Sequence, residues 1–186
     1  MRRITIDSET SSLDPKCAGI VEVGAVVFEN GVEVAQFSEI CRPHESCLVG
    51  PSVDKALSFS GLTRGEIMAA RPSAVVSEAF GAWLRTWADG DKLHAYNVEF
   101  EARFLGLEPW LISQSAWGEC IMLAASQMIG EAGGLPRFKG GKYKYAKLAD
   151  AAAFFGVMRC GEHRALTDAR TAALVYEEIL KRRGGA

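Results

Sequence analysis

Apolar and polar positions first alternate between Arg2 and Thr10, where Ile4 and Ile6 flank Thr5; this period of two predicts a short strand. The β-branched, mostly apolar run Ile20 to Phe28 predicts a buried strand. Asn30-Gly31 is a hairpin turn signal, and Val32, Val34 and the stretch to Ile40 form the returning strand. The first three strands are thus expected as an antiparallel meander. Loop residues follow, with Pro43 and Gly50-Pro51 as breakers. Thr63 and Glu66 have capping-box spacing and open a short helix. Ser73 caps a longer helix, whose apolar stripe is Val76, Phe80, Trp83 and Trp87. Lys92 to Tyr96 reads as a short strand, and Asn97 caps a helix from Val98 to about Gly106, with Phe100, Phe104 and Leu107 inward. Leu111 and Ile112 suggest one more short strand. Glu119 to Ile129 reads as a helix stopped at Gly130, and Gly130 to Gly141 as a loop within the domain. Lys147 to Phe155 and Thr167 to Lys181 complete the helices, the last with Ala172, Val175 and Ile179 inward. Strands first, then strands alternating with helices, point to an α/β mixed sheet covered by helices.

Composition narrows the class without naming a function. A chain of 186 residues is expected to form one domain, 1–183, with a short tail at 184–186. A hydrophobic content of 48% and a charged content of 24% are ordinary for a globular chain. The net charge of −2 carries no global sign of nucleic-acid binding, so a basic footprint has to be local. Asp7 and Glu9 interrupt any leader-like apolar core, and no apolar run reaches membrane-spanning length. Five cysteines at scattered spacing fit reduced thiols and a cytoplasmic protein without membrane partners. Cys41, His44 and Cys47 supply only three ligands, at a spacing that matches no strong zinc pattern.

The candidate chemistry lies in three acidic clusters. Asp7 and Glu9, two apart on a strand, project from one face at its end. Side-by-side carboxylates repel unless a proton or cation lies between them, and Mg2+ takes oxygen ligands of this kind. The second cluster is Asn97 to Glu101, at a strand-to-helix junction; the third is His163 to Asp168, where the last helix begins. Each has a bland alternative. Asp7 and Glu9 start a solvated loop, Glu101 and Asp168 favour helix N-termini, and His163 is a solvated loop residue. The three together, in this order, are hard to obtain by chance.

Taken together, Asp7-Ser8-Glu9-Thr10, Asn97 to Glu101 and His163 to Asp168 resemble the D-x-E-T, N-x-x-F-D and H-x-x-x-x-D motifs of the DEDDh 3′→5′ exonucleases. That branch includes polymerase III epsilon-type proofreading exonucleases and ribonuclease T. Glu22-Val-Gly24-Ala25 resembles the family's second strand, and Lys147 to Gly156 the helix before its third motif. The resemblance covers nearly the whole chain. It implies a ribonuclease H-like fold, a mixed five-stranded sheet flanked by helices. It also implies two Mg2+ ions, replaceable by Mn2+, held by Asp7, Glu9, Glu101 and Asp168, with Asp7 bridging. His163 takes the proton of the attacking water, as an imidazole can near neutral pH. Thr10, Ser11 and Leu13 contact the terminal nucleotide, and Asn97 and Phe100 line the same pocket.

One position departs from the family, which carries Asp where this chain has Glu101. Glutamate is longer by one methylene. Its carboxylate reaches the cluster if the helix sits back or the side chain folds; otherwise a misplacement of about 1 Å costs on the order of a hundredfold in rate. Glu99 does not replace it, because helical geometry turns it about 200° away. The local basic footprint is Arg137, Lys139, Lys142, Lys144 and Lys147, interleaved with Phe138, Tyr143 and Tyr145. Lys142 and Lys144 are candidates for phosphate contacts and the tyrosines for stacking on bases; a solvated mobile loop is the equal alternative. The expected activity is release of nucleotides from single-stranded 3′ ends of DNA or RNA. The alternative is an end-binding module, or a polymerase-accessory protein, with chemistry weakened or lost through Glu101. A polymerase partner and a homodimer, as in ribonuclease T-like relatives, remain open.

Overall fold

Asn30 and Gly31 set the course of the first half of the chain. In the computed structural model, which describes residues 2–159, 161 and 163–184, both are left-handed, with φ of 53° and 80°. A turn of this hand matches the twist of the strands it joins. It links β2 (Ile20–Glu29) to β3 (Val32–Arg42), and β2 pairs antiparallel with both β3 and β1 (Arg2–Thr10). Held between two neighbours, β2 is buried from Ile20 to Phe28, as its unbroken apolar run requires. β3 instead alternates exposed and half-buried positions over most of its length.

β5 (Leu93–Ala95) pairs parallel with β1, and β6 (Trp117–Cys120) parallel with β5. A two-residue strand, β4 (Arg71–Pro72), adds to β3. The order is β4-β3-β2-β1-β5-β6, six strands among the described residues rather than the expected five. Leu111 and Ile112 are not a strand. Leu111 has φ of 51°, and the Ile112 amide donates to the Leu105 carbonyl at 2.8 Å in a turn after the preceding helix. The outer strand lies at Trp117–Cys120, and its last two residues fall in the stretch expected to be helical. Glu119 explains the shift: its carboxylate accepts from Tyr176 Oη at 3.2 Å and from Arg183 at 2.9 Å. Those contacts hold it in the strand.

The helices are α1 (Pro51–Ser60), α2 (Arg64–Ala69), α3 (Ser73–Trp87), α4 (Val98–Leu105), α5 (Ile121–Glu131), α6 (Leu148–Phe155) and α7 (Ala165–Arg182). The Thr63/Glu66 capping box is present, and Asn97 accepts from the Phe100 amide as the N-cap of α4. Pro72, not Ser73, is the N-cap of α3. Gly156, left-handed at φ 72°, ends α6. The α1 helix was not expected. Its proline occupies the first turn, where a missing N–H costs nothing, and Gly61 ends it at φ 68°. Leu107, expected inward, is exposed. Gly185 and Ala186 of the expected tail lie outside the described residues. No helix among the described residues is long and apolar enough to cross a membrane.

The sheet has a core on each face. Ile4, Ile6, Val23, Ala25 and Val27 pack with Val76 and Phe80 of α3 and Phe104 and Leu105 of α4. On the other face Val26 and Phe28 meet Ala169 and Ala173 of α7, while Ala172, Val175 and Ile179 pack with α5 and α6. The small residues of α7 let its backbone come close. At Gly24 the approach is at its limit, since an added Cβ would overlap the backbone of Ala165 and Leu166. Arg3 and Glu177 join β1 to α7 farther along, at 2.6 and 2.8 Å.

Gly24→Ala is therefore expected to lower stability by about 1–3 kcal/mol. Thermal unfolding followed by circular dichroism reads this, and an unchanged midpoint would mean that α7 does not rest on β2 there.

Candidate active site

Alternation along β1 sends consecutive side chains to opposite faces of the sheet. Ile4 and Ile6 face α3 and α4, so Asp7 and Glu9 face α7. Asp168, in the first turn of α7, comes to meet them. One carboxylate oxygen from each of Asp7, Glu9 and Asp168 lies within 4.8 Å of the others. Asp168 is buried and the other two are half-buried.

The electrostatics follow from the crowding. Burial lifts the Asp7 carboxyl well above the usual carboxylate range, helped by the charges of Glu101, Glu9, Asp168 and Glu22. Glu9 is pushed up to about 7 by burial, then by Asp168 and Glu22, against the pull of Arg164. Burial also raises Asp168, opposed by Arg159, whose guanidinium lies 3.4 Å away. Repelling carboxylates in a partly dry site hold protons, or bind a cation that replaces them. Three hard oxygen donors at this spacing fit a hard divalent cation rather than a soft-metal site.

Glu101 stands apart from this trio. It approaches the tip of β1 from the α4 face, where Ser8 also points. Its Oε2 accepts from Ser8 Oγ at 2.6 Å, and it is fully enclosed. Burial raises its carboxyl to about 8, against the lowering effect of the Ser8 hydrogen bonds. Its charge still reaches Asp7, since it is a main cause of the Asp7 shift after burial. The extra methylene is thus accommodated by tethering the carboxylate to the serine between Asp7 and Glu9.

His163 lies on the loop before α7, exposed and left-handed at φ 53°, with its ring 6.0 Å from that of Phe59. The end of that loop is anchored by Glu22 of β2, only 1% exposed. Its carboxylate takes Arg164 at 2.7 Å and the Ala165 amide at 3.2 Å. This fixes the start of α7, and so where Asp168 enters.

Beside the acids opens a cavity of about 490 Å³. Glu9, Thr10, Leu13 and Phe100 line it on one side, and Lys55 and Phe59 of α1 on the other. Leu13 is 80% exposed, a large apolar side chain left to solvent at the rim. Asn97 caps α4 and faces a neighbouring cavity that shares Phe100. Ser11 is fully buried and braces the turn before β2 through Gly19, at 2.9 and 3.1 Å, and it does not line the cavity. Lys142 and Lys144 sit on a separate hairpin and line neither cavity.

Sequence reasoning missed Ser8, Glu22, Lys55, Phe59 and Arg159. Glu22 had a signal, a lone acid inside an apolar strand, which needs a partner when buried. For α1 the signals were Gly50-Pro51 at its start, Val53 and Leu57 four apart, and Gly61 at its end.

Residues 4–176 match the exonuclease family RNase_T. The chain is 27% identical over 184 residues to the 3′-5′ exonuclease DinG of Bacillus subtilis (strain 168), covering 97% of this chain and 18% of that protein. It is 25% identical over 188 residues to the DNA polymerase III PolC-type of Thermotoga maritima, covering 97% and 12%. It thus spans under a fifth of either relative. Among solved structures, Exonuclease X in complex with 5′ overhanging duplex DNA superposes with a TM-score of 0.65 at 22% identity, covering 98% of this chain and 93% of that one. The nuclease domain of 3′hExo, a DEDDh family member bound to rAMP, gives 0.70 at 17% identity, covering 98% and 92%. With the family match spanning nearly its whole length, and its mixed sheet built on the frame of these nucleases, the chain belongs to the RNase_T family of exonucleases and has their ribonuclease H-like fold.

Proposed function

We propose that the chain hydrolyses phosphodiesters one at a time from single-stranded 3′ ends of DNA or RNA, using divalent metal ions. The observation that carries this reading is the meeting of Asp7, Glu9 and Asp168 within 4.8 Å, from a strand tip and a helix start far apart in sequence.

Asp7, Glu9 and Asp168 would hold the ions, with the second oxygen of Glu101 completing the set. Bound divalent cations would stabilise the charge that builds on the phosphate and leaving oxygens. Thr10, Leu13 and Phe100 would seat the terminal nucleotide in the adjoining cavity, where Lys55 neutralises phosphate charge. His163, at the end of an exposed loop, would accept the proton of the attacking water. Glu22 would act by position alone, holding Arg164 and hence the base of that loop. Support for nucleic-acid ends comes from relatives: Exonuclease X was solved with duplex DNA bearing a 5′ overhang, and E. coli Exonuclease I with a dT13 oligonucleotide. The PolC-type relative makes a polymerase partner a natural extension, to be tested by co-purification.

The tether between Ser8 and Glu101 favours one second reading, an end-binding module with reduced chemistry. Glu101→Asp separates the two. A change in kcat smaller than about tenfold fits a working, serine-held glutamate, whereas a gain from zero activity would show that Glu101 had silenced the site.

Asp7→Ala is expected to reduce Mg2+-dependent mononucleotide release from a labelled oligonucleotide by about a thousandfold or more, since several kcal/mol of charge stabilisation are removed. Absence of release by the unmodified chain from DNA and RNA, with both Mg2+ and Mn2+, would overturn the proposal.

Stability should report the same ions. Glu9 and Glu101, at about 7 and about 8, lie above their unfolded values, so the folded state binds more protons. In EDTA the stability they contribute is full below about pH 4.5 and is lost as pH rises through about 7 to 8. Thermal midpoints in EDTA should fall more steeply over that window for the unmodified chain than for Asp7→Asn. Saturating Mn2+ should restore about 5–10 °C, with the largest gain near pH 8.

A further inference from the structure

A feature outside the acid cluster has the build of a second nucleic-acid site. Between α5 and α6 the chain forms a tight hairpin. Phe138 donates to the Lys142 carbonyl at 2.7 Å, Lys144 to the Pro136 carbonyl at 2.9 Å, and Arg137 bridges to Tyr143. The Arg137 guanidinium lies 4.0 Å over the Tyr143 ring and bonds its hydroxyl and the Gly141 carbonyl. The ring also rests on Gly130, where any Cβ would overlap it. The base of the hairpin is pinned to the core at Ala146, whose carbonyl accepts from Tyr96 Oη at 2.7 Å and whose amide donates to Ser126 Oγ at 2.9 Å. The hairpin is braced by these contacts, contrary to the mobile loop that its glycines suggest.

What this scaffold presents outward is aromatic and basic. Phe138 and Tyr145 are 45% and 54% exposed, with ring centroids 5.8 Å apart and edges to faces. No core requirement explains two large rings fixed in solvent. Lys139, Lys142, Lys144 and Lys147 flank them in the sequence, with no acid between Ala132 and Ala149. Tyr145 also walls a cavity of about 490 Å³ together with Asn97, Phe100 and Arg103. Phe100 is the shared wall between that cavity and the one containing Glu9. The two cavities thus adjoin at Phe100, and the second reaches Tyr145, one of the exposed rings. Aromatic faces among cations match an unpaired, anionic strand, whose bases stack without regard to sequence.

We propose that this hairpin binds the single strand upstream of the terminal nucleotide, stacking its bases on Tyr145 and Phe138 and pairing its phosphates with the lysines. The inference rests on the proposed function and adds a length preference: unpaired ends several nucleotides long are favoured over dinucleotides.

The test compares 5′-labelled dT8 and dT2 with the unmodified chain, with Phe138→Ala/Tyr145→Ala, and with Lys139→Ala/Lys142→Ala/Lys144→Ala. Fluorescence anisotropy in EDTA, where no cutting occurs, reads binding; kcat/KM with Mg2+ reads turnover. The aromatic pair should lower the dT8-to-dT2 ratio of affinity, and that of kcat/KM, by about tenfold or more. The lysine variant should flatten the salt dependence of dT8 binding by about two units of slope. Equal effects on both lengths, or no change in the ratio, would overturn the site. So would a dimer of the unmodified chain that dissociates on losing the two rings, since the rings would then join two copies of the chain. Binding of dT8 through these residues without any hydrolysis would leave the site standing and sink the catalytic reading. Equal hydrolysis of dT2 and dT8 would do the reverse.

Discussion

Carboxylates brought together out of water repel, and this chain concentrates that repulsion at one strand tip. Asp7, Glu9, Asp168 and the nearby Glu101 all have raised pKa values, with burial the first cause in each. Left to themselves, such side chains would splay apart. The fold prevents this by placing them on elements that cannot move independently. β1 is central in the sheet, and α7 lies against β2 at a glycine that admits no side chain. Glu22 then fastens the first residue of α7 through Arg164 and the Ala165 amide. The strain is held in a rigid frame, which is what makes the site receptive to compensating positive charge.

The two faces of the sheet divide the work. Alternation along β1 sends Asp7 and Glu9 toward α7, and Ser8 toward α4. Glu101 therefore comes to the cluster from the α4 side, and Asp168 from the α7 side. A shorter aspartate at that position would lie farther from Ser8, whereas the glutamate reaches it at 2.6 Å. The additional methylene and the serine are two halves of one arrangement: the side chain is long, and its tip is tied.

Local rules made much of this legible before any coordinates. The alternation at Ile4 and Ile6, the Asn30-Gly31 turn, the Asn97 cap and the Gly156 stop each depend on a few neighbouring residues, and each is present as read. Asp7 and Glu9 could be paired because the strand period puts them on one face, whereas Asp168 was joined to them only by the resemblance of the three motifs. Less legible was whatever depends on distant partners. Glu22 and Arg164 are 142 residues apart, and nothing near either names the other. Glu119 and Cys120 read as the start of a helix until Tyr176 and Arg183 are seen holding Glu119. α1 was concealed by its own first residue, because a proline that ends one helix can equally begin another.

The way α1 is attached has a consequence of its own. Val53 and Leu57 bury themselves with Val21, Leu48, Leu62 and Ile67 in a small cluster of their own, separate from the two large cores. One wall of the cavity is thus modular, resting on a minor foundation, while the acids stand on the major one. Drift in sequence or partial local melting can reshape the wall that carries Lys55 and Phe59 and leave the carboxylates in register. Selectivity for what enters is therefore free to evolve at a different pace from the chemistry it serves.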